Sequence, residues 1–445
     1  MECSVSGTSS SFWPLAALAV LAVPLLAQPA YYPIDGYISG VHPPMGFEVD
    51  GRRFVLTPET TFGLMDSDSP SNGGHLREAL RIGVFVQIDG REIGPSSPMA
   101  PIMATTVLIR DNSRTKLSGI GVITRVLSPA PTAVFEADGY LIRITPSTQL
   151  AFEGNLSSLA DVSTNTWLHF SGKWGKDGVV EAAKAQFIPG KPTAFKAVKN
   201  LEIATVKTRV AGSSDPAMTS KATGAPVLPA DGAALDQDEQ VKIGLGHWHT
   251  LPADQPLQQR VHRIGMALVP DYQRTMADDD PSKIHFRFFA VDNKNLRAAV
   301  CLLDGAILVS KQAIERLKND DQLAAVVADG VACNLQRQSA RRVESVRKEL
   351  GIDIAIDVAG AFVPGMGFAG MFNSGIASKG VAMMQDERLR IALALMRDAG
   401  FDPWQAPEAW RLLDPKKPPT GLAFLAYPDT SCYQFEILNL QKGPQ

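Results

Sequence analysis

The stretch "FEVDGRRFVLTPET" (Phe47–Thr60) returns as "FEADGYLIRITPST" (Phe135–Thr148), with Phe, Glu, Asp-Gly and Thr-Pro-x-Thr at identical offsets. A segment that recurs with its turn residues in place is expected to build the same small unit twice. Asp-Gly between alternating apolar runs marks a tight hairpin, because Gly supplies the positive φ that such a turn needs. Strand-like pieces "GYISGV" and "GVITRV" precede the two copies, and "GVFVQIDG" and "WLHFSGKW" follow them. The repeat therefore predicts two small all-β barrel-like units, over residues 36–112 and 119–190.

The chain is 445 residues long, more than one ordinary core holds, so further domains are expected. Residues 207–238, rich in Ala, Gly, Ser, Pro and Asp without apolar periodicity, read as a linker. A mainly helical domain with some strand is expected over 240–445. "KIHFRFFAVD" reads as a strand, "AAVCLLDGAILVSKQAIERL" as strand, turn, strand and helix start. Residues 319–350 read as one long helix capped by Asn319 or Asp320.

Charged residues make up 20% of the chain and the formal net charge is −3, so no basic surplus points to a nucleic-acid partner. The apolar run Phe12–Ala30 ends in small residues and carries Pro14 and Pro24, which fits a cleavable export signal over residues 1–30. No Lys or Arg precedes Arg52, an atypical signal feature. The expected location is periplasmic or secreted. Beyond that segment lie Cys301, Cys333 and Cys432, an odd number at scattered spacing. One bridge with a free thiol fits this count, but the sequence favours buried small apolar side chains for at least two of them.

Several stretches together carry a resemblance. "VHRIGMAL", "LLDGAILVSKQAIERLKNDDQLAAVVA", "NLQRQSARRV", "LALMRDAGFDPWQA" and "YPDTSCYQFEIL" occur in the order of elements found in the HtpX-type and CAAX prenyl protease-type zinc metallopeptidases. The resemblance covers about residues 255–440 and implies a zincin-like domain. The first half resembles the OB-like repeats of an uncharacterised domain of exported bacterial proteins.

The family's chemistry needs two His at i and i+4 on one helix face to hold zinc, and a Glu after the first His as general base. Carried across, the first His falls on Asp329, the base on Gly330 and the second His on Cys333. The third ligand falls on Gln385 and its motif's Asp on Leu389. The resemblance thus implies a degenerate site with no catalytic residue, no cofactor, and a polypeptide or envelope-protein partner. Two alternatives stand beside it. One is an active zinc endopeptidase using Asp329, Cys333 and Asp386 or Glu387; the other is a structural envelope protein that binds through its β repeats.

Further motifs carry less. His247 and His249 share one strand face and His262 lies on the next helix, and solvent-exposed His accounts for them. Gly360–Gly375, rich in Gly, Met and Phe, reads as tight packing or a groove cover, with a peripheral membrane contact as the alternative. "GMGFAG" follows Pro364 rather than a strand, so it is no nucleotide loop.

Overall fold

A computed structural model describes residues 34–42, 46–49, 52–65, 74–92, 101–112, 116–129, 132–190, 206–207, 240–243, 246–293, 296, 298–302, 305–338, 375–413 and 430–442. The predicted signal, the body of the linker and residues 360–374 lie outside the described residues.

The first sheet holds β1 (Ile34–His42), β2 (Gly46–Val49), β3 (Arg52–Val55), β4 (Thr61–Leu64), β5 (Phe85–Glu92) and β6 (Ile102–Ile109). A short helix α1 (Gly74–Glu78) precedes β5. The strand order is β3-β2-β1-β5-β6-β4, and β3 also pairs with β6. That extra pairing closes five strands into a barrel and leaves β4 lying parallel along β6.

The second sheet repeats the plan with β7 (Leu117–Ser128), β8 (Val134–Ala137), β9 (Tyr140–Arg143), β10 (Gln149–Phe152), β11 (Trp167–Trp174) and β12 (Val180–Ile188). Its order β10-β12-β11-β7-β8-β9, closed by β12 to β9, matches the first strand for strand. The register matches as well. Gly90 pairs with Ala104 just after a shift in the β5–β6 ladder, and Gly172 pairs with Ala182 just after the equivalent shift between β11 and β12.

The Thr-Pro-x-Thr motif explains why the repeat kept these residues. Thr60 Oγ1 accepts from the Thr57 backbone N–H at 2.8 Å and donates to the Ala104 carbonyl at 2.8 Å. Thr148 Oγ1 accepts from the Thr145 N–H at 2.9 Å and donates to the Ala182 carbonyl at 2.8 Å. One buried hydroxyl therefore closes the turn after the third strand and fastens it to the sixth strand, at its irregular point, in both barrels. The Asp-Gly hairpin of the second copy has Asp138 at φ 53° and Gly139 at φ 71°. Two successive left-handed residues form the tight turn whose twist suits paired strands. The equivalent Asp50 and Gly51 lie outside the described residues.

Between the barrels and the helical part runs a small sheet of β13 (Val206–Lys207), β14 (Gln240–Ile243) and β15 (Gly246–His249). The C-terminal region contains α2 (Pro256–Leu268), α3 (Asp271–Thr275), β16 (Arg287–Val291), β17 (Ala299–Cys301), β18 (Ala306–Ser310) and α4 (Lys311–Arg316). It continues with α5 (Asp320–Leu335), α6 (Gly375–Asp398), α7 (Gln405–Leu413) and α8 (Thr430–Gln441). The three strands order as β16-β18-β17, with β16 parallel and β17 antiparallel to β18.

The expectation of one continuous helix from 319 to 350 needs correction within the described residues, outside which 339–350 lie. α5 ends at Leu335, and Arg337 adopts a left-handed φ of 49° that an α-helix cannot continue through. The Arg337 guanidinium donates to the Ser282 carbonyl at 2.8 Å, which ties the turn to the segment before β16.

Buried side chains form two cores. Barrel 1 has its own, around Ile38, Phe47, Phe54, Val86, Ile88 and Val107. Barrel 2 shares a continuous core with the helical region, running from Phe135 and Phe187 to α5 and α6.

Candidate functional site

α5 is the centre of the helical region. Every residue from Gln322 to Leu335 is buried, so it is a helix enclosed on all sides with the rest of the region wrapped around it. Its start is fixed from the sequence: Asn319 Oδ1 accepts from the Gln322 N–H at 2.8 Å, and Asp320 accepts from Arg260 and Arg263 of α2 at 2.7 and 2.6 Å.

Asp329 and Cys333, one turn apart, share a face of this helix as their spacing predicts. Each is engaged elsewhere. The Asp329 carboxylate, only 8% exposed, accepts from Arg388 Nε of α6 at 3.2 Å. Burial pushes its pKa up and the Arg388 guanidinium opposes that shift. The Cys333 sulfur is bonded to Cys301 at the end of β17, across a Cα–Cα distance of 6.2 Å. This corrects the expectation that at least two cysteines are merely packed: one bridge forms, and the buried Cys432 outside it donates from Sγ to the Ile38 carbonyl at 3.6 Å. The pair could not be read from sequence, because a separation of 32 residues says nothing of which strand lies over which helix.

Gly330 has a steric reason. A Cβ built there would lie 2.6 Å from Ile307 Cγ2 of β18, so α5 packs against the sheet at a distance only Gly permits. The position that the family resemblance would give to a general base has no room for a side chain while Ile307 stays in place.

The remaining predicted residues are dispersed. Gln385 Nε2 donates to Thr430 Oγ1 at 3.4 Å. Glu387, 6% exposed, accepts from Gln338 Nε2 at 2.8 Å. Asp386 is pushed up to about 6 by burial, with Arg390 opposing. Leu389 is buried, and its carbonyl accepts from Gln434 Nε2 at 3.1 Å. His249 and His262 are exposed. Among the described residues no three His, Cys, Asp or Glu side chains converge on one point. The donor set does not fit zinc: a bridged sulfur offers no thiolate, Asp329 is held by a guanidinium, and Glu387 is turned to Gln338.

A second polar cluster was not foreseen. The β8–β9 hairpin of barrel 2 is pressed into the helices α6 and α8. Arg390 Nη2 donates to Asp138 Oδ1 at 2.7 Å, and its Nε to the Asp138 carbonyl at 3.2 Å. Its Nη1 donates to Tyr433 Oη at 2.5 Å, and the guanidinium sits 4.7 Å from the centre of the Tyr140 ring. Arg397 donates to Glu136, and Arg125 pairs with Asp398 and lies 3.8 Å from Glu136. Glu136 is 1% exposed, and burial with the Asp398 carboxylate outweighs both guanidiniums and pushes it up to about 7. At the turn, a Cβ on Gly139 would lie 2.4 Å from the Arg390 backbone. The sequence signal was present in part, since Arg390 and Arg397 flank the apolar run Ile391–Met396 of this helix.

Fold and site together define a class: two closed β-barrels joined to a helical region whose central helix has Asp329 held by an ion pair and Cys333 by a disulfide. Compared with known families and curated proteins, the chain matches no family model and no curated protein significantly.

Proposed function

We propose that the protein is an exported, non-catalytic relative of the HtpX-type metallopeptidases, with OB-like barrels and a zincin-like helical domain, and that it binds polypeptide. The observation that carries this reading is the joint fate of Asp329 and Cys333. Both lie where zinc-holding imidazoles are expected, and both are tied to neighbouring elements, one by an ion pair to α6 and the other by a disulfide to β17. The ion pair joins the central helix to the same later helix that a metal at that point would join. The disulfide also accords with an oxidising compartment outside the cytosol. The strand order of each barrel, five strands closed with the third parallel to the last, is that of OB-type barrels.

Two measurements test the reading. Metal analysis of the purified protein is expected to find zinc well below one atom per chain. Casein is expected to remain intact with or without chelator, yet to be retained by the immobilised protein once unfolded. Stoichiometric zinc with chelator-sensitive cleavage would overturn the reading.

A further inference from the structure

A groove opens where barrel 1 meets the last two helices. Val41 of β1, Leu80 and Ile82 before β5, Trp404 before α7 and Phe435 of α8 form its floor, and Arg81 stands at its rim. It is shallow and largely open to solvent, with a volume of about 410 Å³, and it lies between two structural units, where binding sites concentrate. The floor is apolar and aromatic. Val41 is 38% exposed, and the Trp404 and Phe435 rings stand 6.2 Å apart, tilted by 46°.

Charges of both signs stand around this floor, with a small positive excess. Arg81 is exposed and has no ion-pair partner among the described residues. Lys442 Nζ lies 4.0 Å from the centre of the Trp404 ring, and the Arg411 guanidinium 5.1 Å from that of Phe435. The neighbouring carboxylates are engaged. Glu408 faces Arg411 at 3.4 Å, Glu436 faces Arg110 at 3.7 Å, and Asp402 accepts from the Trp404 backbone N–H at 3.0 Å. Asn439 donates to the Ile82 carbonyl at 3.1 Å, which holds α8 against the barrel at the groove's edge. An apolar, aromatic floor beneath these cations fits a ligand with an apolar body and an anionic end.

We propose that this groove binds the apolar C-terminal residues of a polypeptide, with the terminal carboxylate meeting Arg81 and Lys442 adding to the positive field. Side chains pack on Val41, Leu80, Ile82 and the touching Trp404 and Phe435 rings, and the charge-assisted bond to the carboxylate selects a chain end over a chain interior. The proposal rests on the polypeptide-binding reading above and names where on the molecule such binding occurs.

The test uses the full chain and a labelled hexapeptide ending in Leu-Phe, as the free acid and as the C-terminal amide, followed by fluorescence anisotropy. The free acid is expected to bind saturably and the amide about tenfold more weakly, the ratio set by one charge-assisted hydrogen bond. Arg81→Ala should weaken the acid by a similar factor and leave the amide unchanged, and Trp404→Ala should weaken both. Equal affinity of acid and amide would overturn the proposal, as would saturable binding of laurate without peptide. Peptide binding indifferent to both substitutions would also overturn it, while leaving polypeptide binding elsewhere on the protein intact. Absence of peptide binding, with unfolded casein still retained, separates the two readings in the same way.

Discussion

The two barrels share strand order, register, the shifted ladder and the threonine lock, yet their matching hairpins have opposite surroundings. In barrel 1, Glu48 is partly exposed beside His42 at 3.6 Å, and Arg52 and Arg53 face solvent. In barrel 2, Glu136 and Asp138 of the equivalent hairpin are each 1% exposed and held by arginines of α6. The repeat therefore specifies the barrel, and the environment specifies what the hairpin does. One copy is a unit with its own core. The other supplies a wall of the helical region's core and cannot be removed without opening it.

Four experiments would break or sharpen this contrast. Arg390→Ala leaves Asp138 buried beside no guanidinium, a loss of about 3–5 kcal/mol for breaking a buried pair. Arg53→Ala at the exposed hairpin is expected to stay within about 0.5 kcal/mol. Urea unfolding of both variants reads the difference, and equal effects would refute the division into docked and free hairpins.

Next in size, replacing both Cys301 and Cys333 by Ala removes the link between β17 and α5. A bridge with a sequence separation of 32 residues contributes about 3–4 kcal/mol in the loop-entropy account. The loss should fall on the unfolding transition that contains barrel 2 and the helices, with the barrel 1 transition unmoved in calorimetry. A uniform shift of all transitions would show that the two cores are not independent.

The third experiment is pH. Glu136, pushed up to about 7, and Asp386, pushed up to about 6, both hold a proton in the folded protein at pH values where the unfolded chain has lost it. Stability then rises as pH falls from 8 toward 5 and is lost as pH rises through these values. Thermal melts at pH 8 and pH 6 should show the barrel 2–helix transition moving up on acidification. Glu136→Gln should flatten most of that rise, and an unchanged profile would remove Glu136 as its source.

The last experiment is at the threonine locks. Thr60→Val and Thr148→Val each delete a buried hydroxyl with two bonds, at a cost of about 1–3 kcal/mol that includes the carbonyl left unpaired. The two losses should agree closely, since the geometry is the same in both copies. A large inequality would mean that docking also strains the second barrel.

Much of this was legible in the sequence and some was not, for physical reasons. The barrels could be read because Asp-Gly and Thr-Pro-x-Thr act locally: their turn bonds and backbone angles belong to the segment that carries them. The order strand, strand, helix around β17, β18 and α4 could be read for the same reason. The docked hairpin could not, because Glu136 and Asp138 look no different from Glu48 and Asp50, and their partners stand some 250 residues away. The length of α5 was overread because nothing local announces that Arg337 turns left-handed to reach Ser282. The disulfide escaped because pairing depends on which strand crosses which helix. The residues of the candidate site could be located by position, but their engagement with Arg388 and Cys301 required the packed structure.

The 2.6 Å approach at Gly330 has a consequence for the history open to this chain. A glutamate arising there meets Ile307 unless a smaller residue has already appeared on β18. An imidazole at 333 strands Cys301 as an unpaired thiol at the end of β17. An imidazole at 329 leaves Arg388 of α6 without its carboxylate. Each of these changes loses a contact that the fold now makes, so positions 329, 330 and 333 are constrained through α6, β18 and β17.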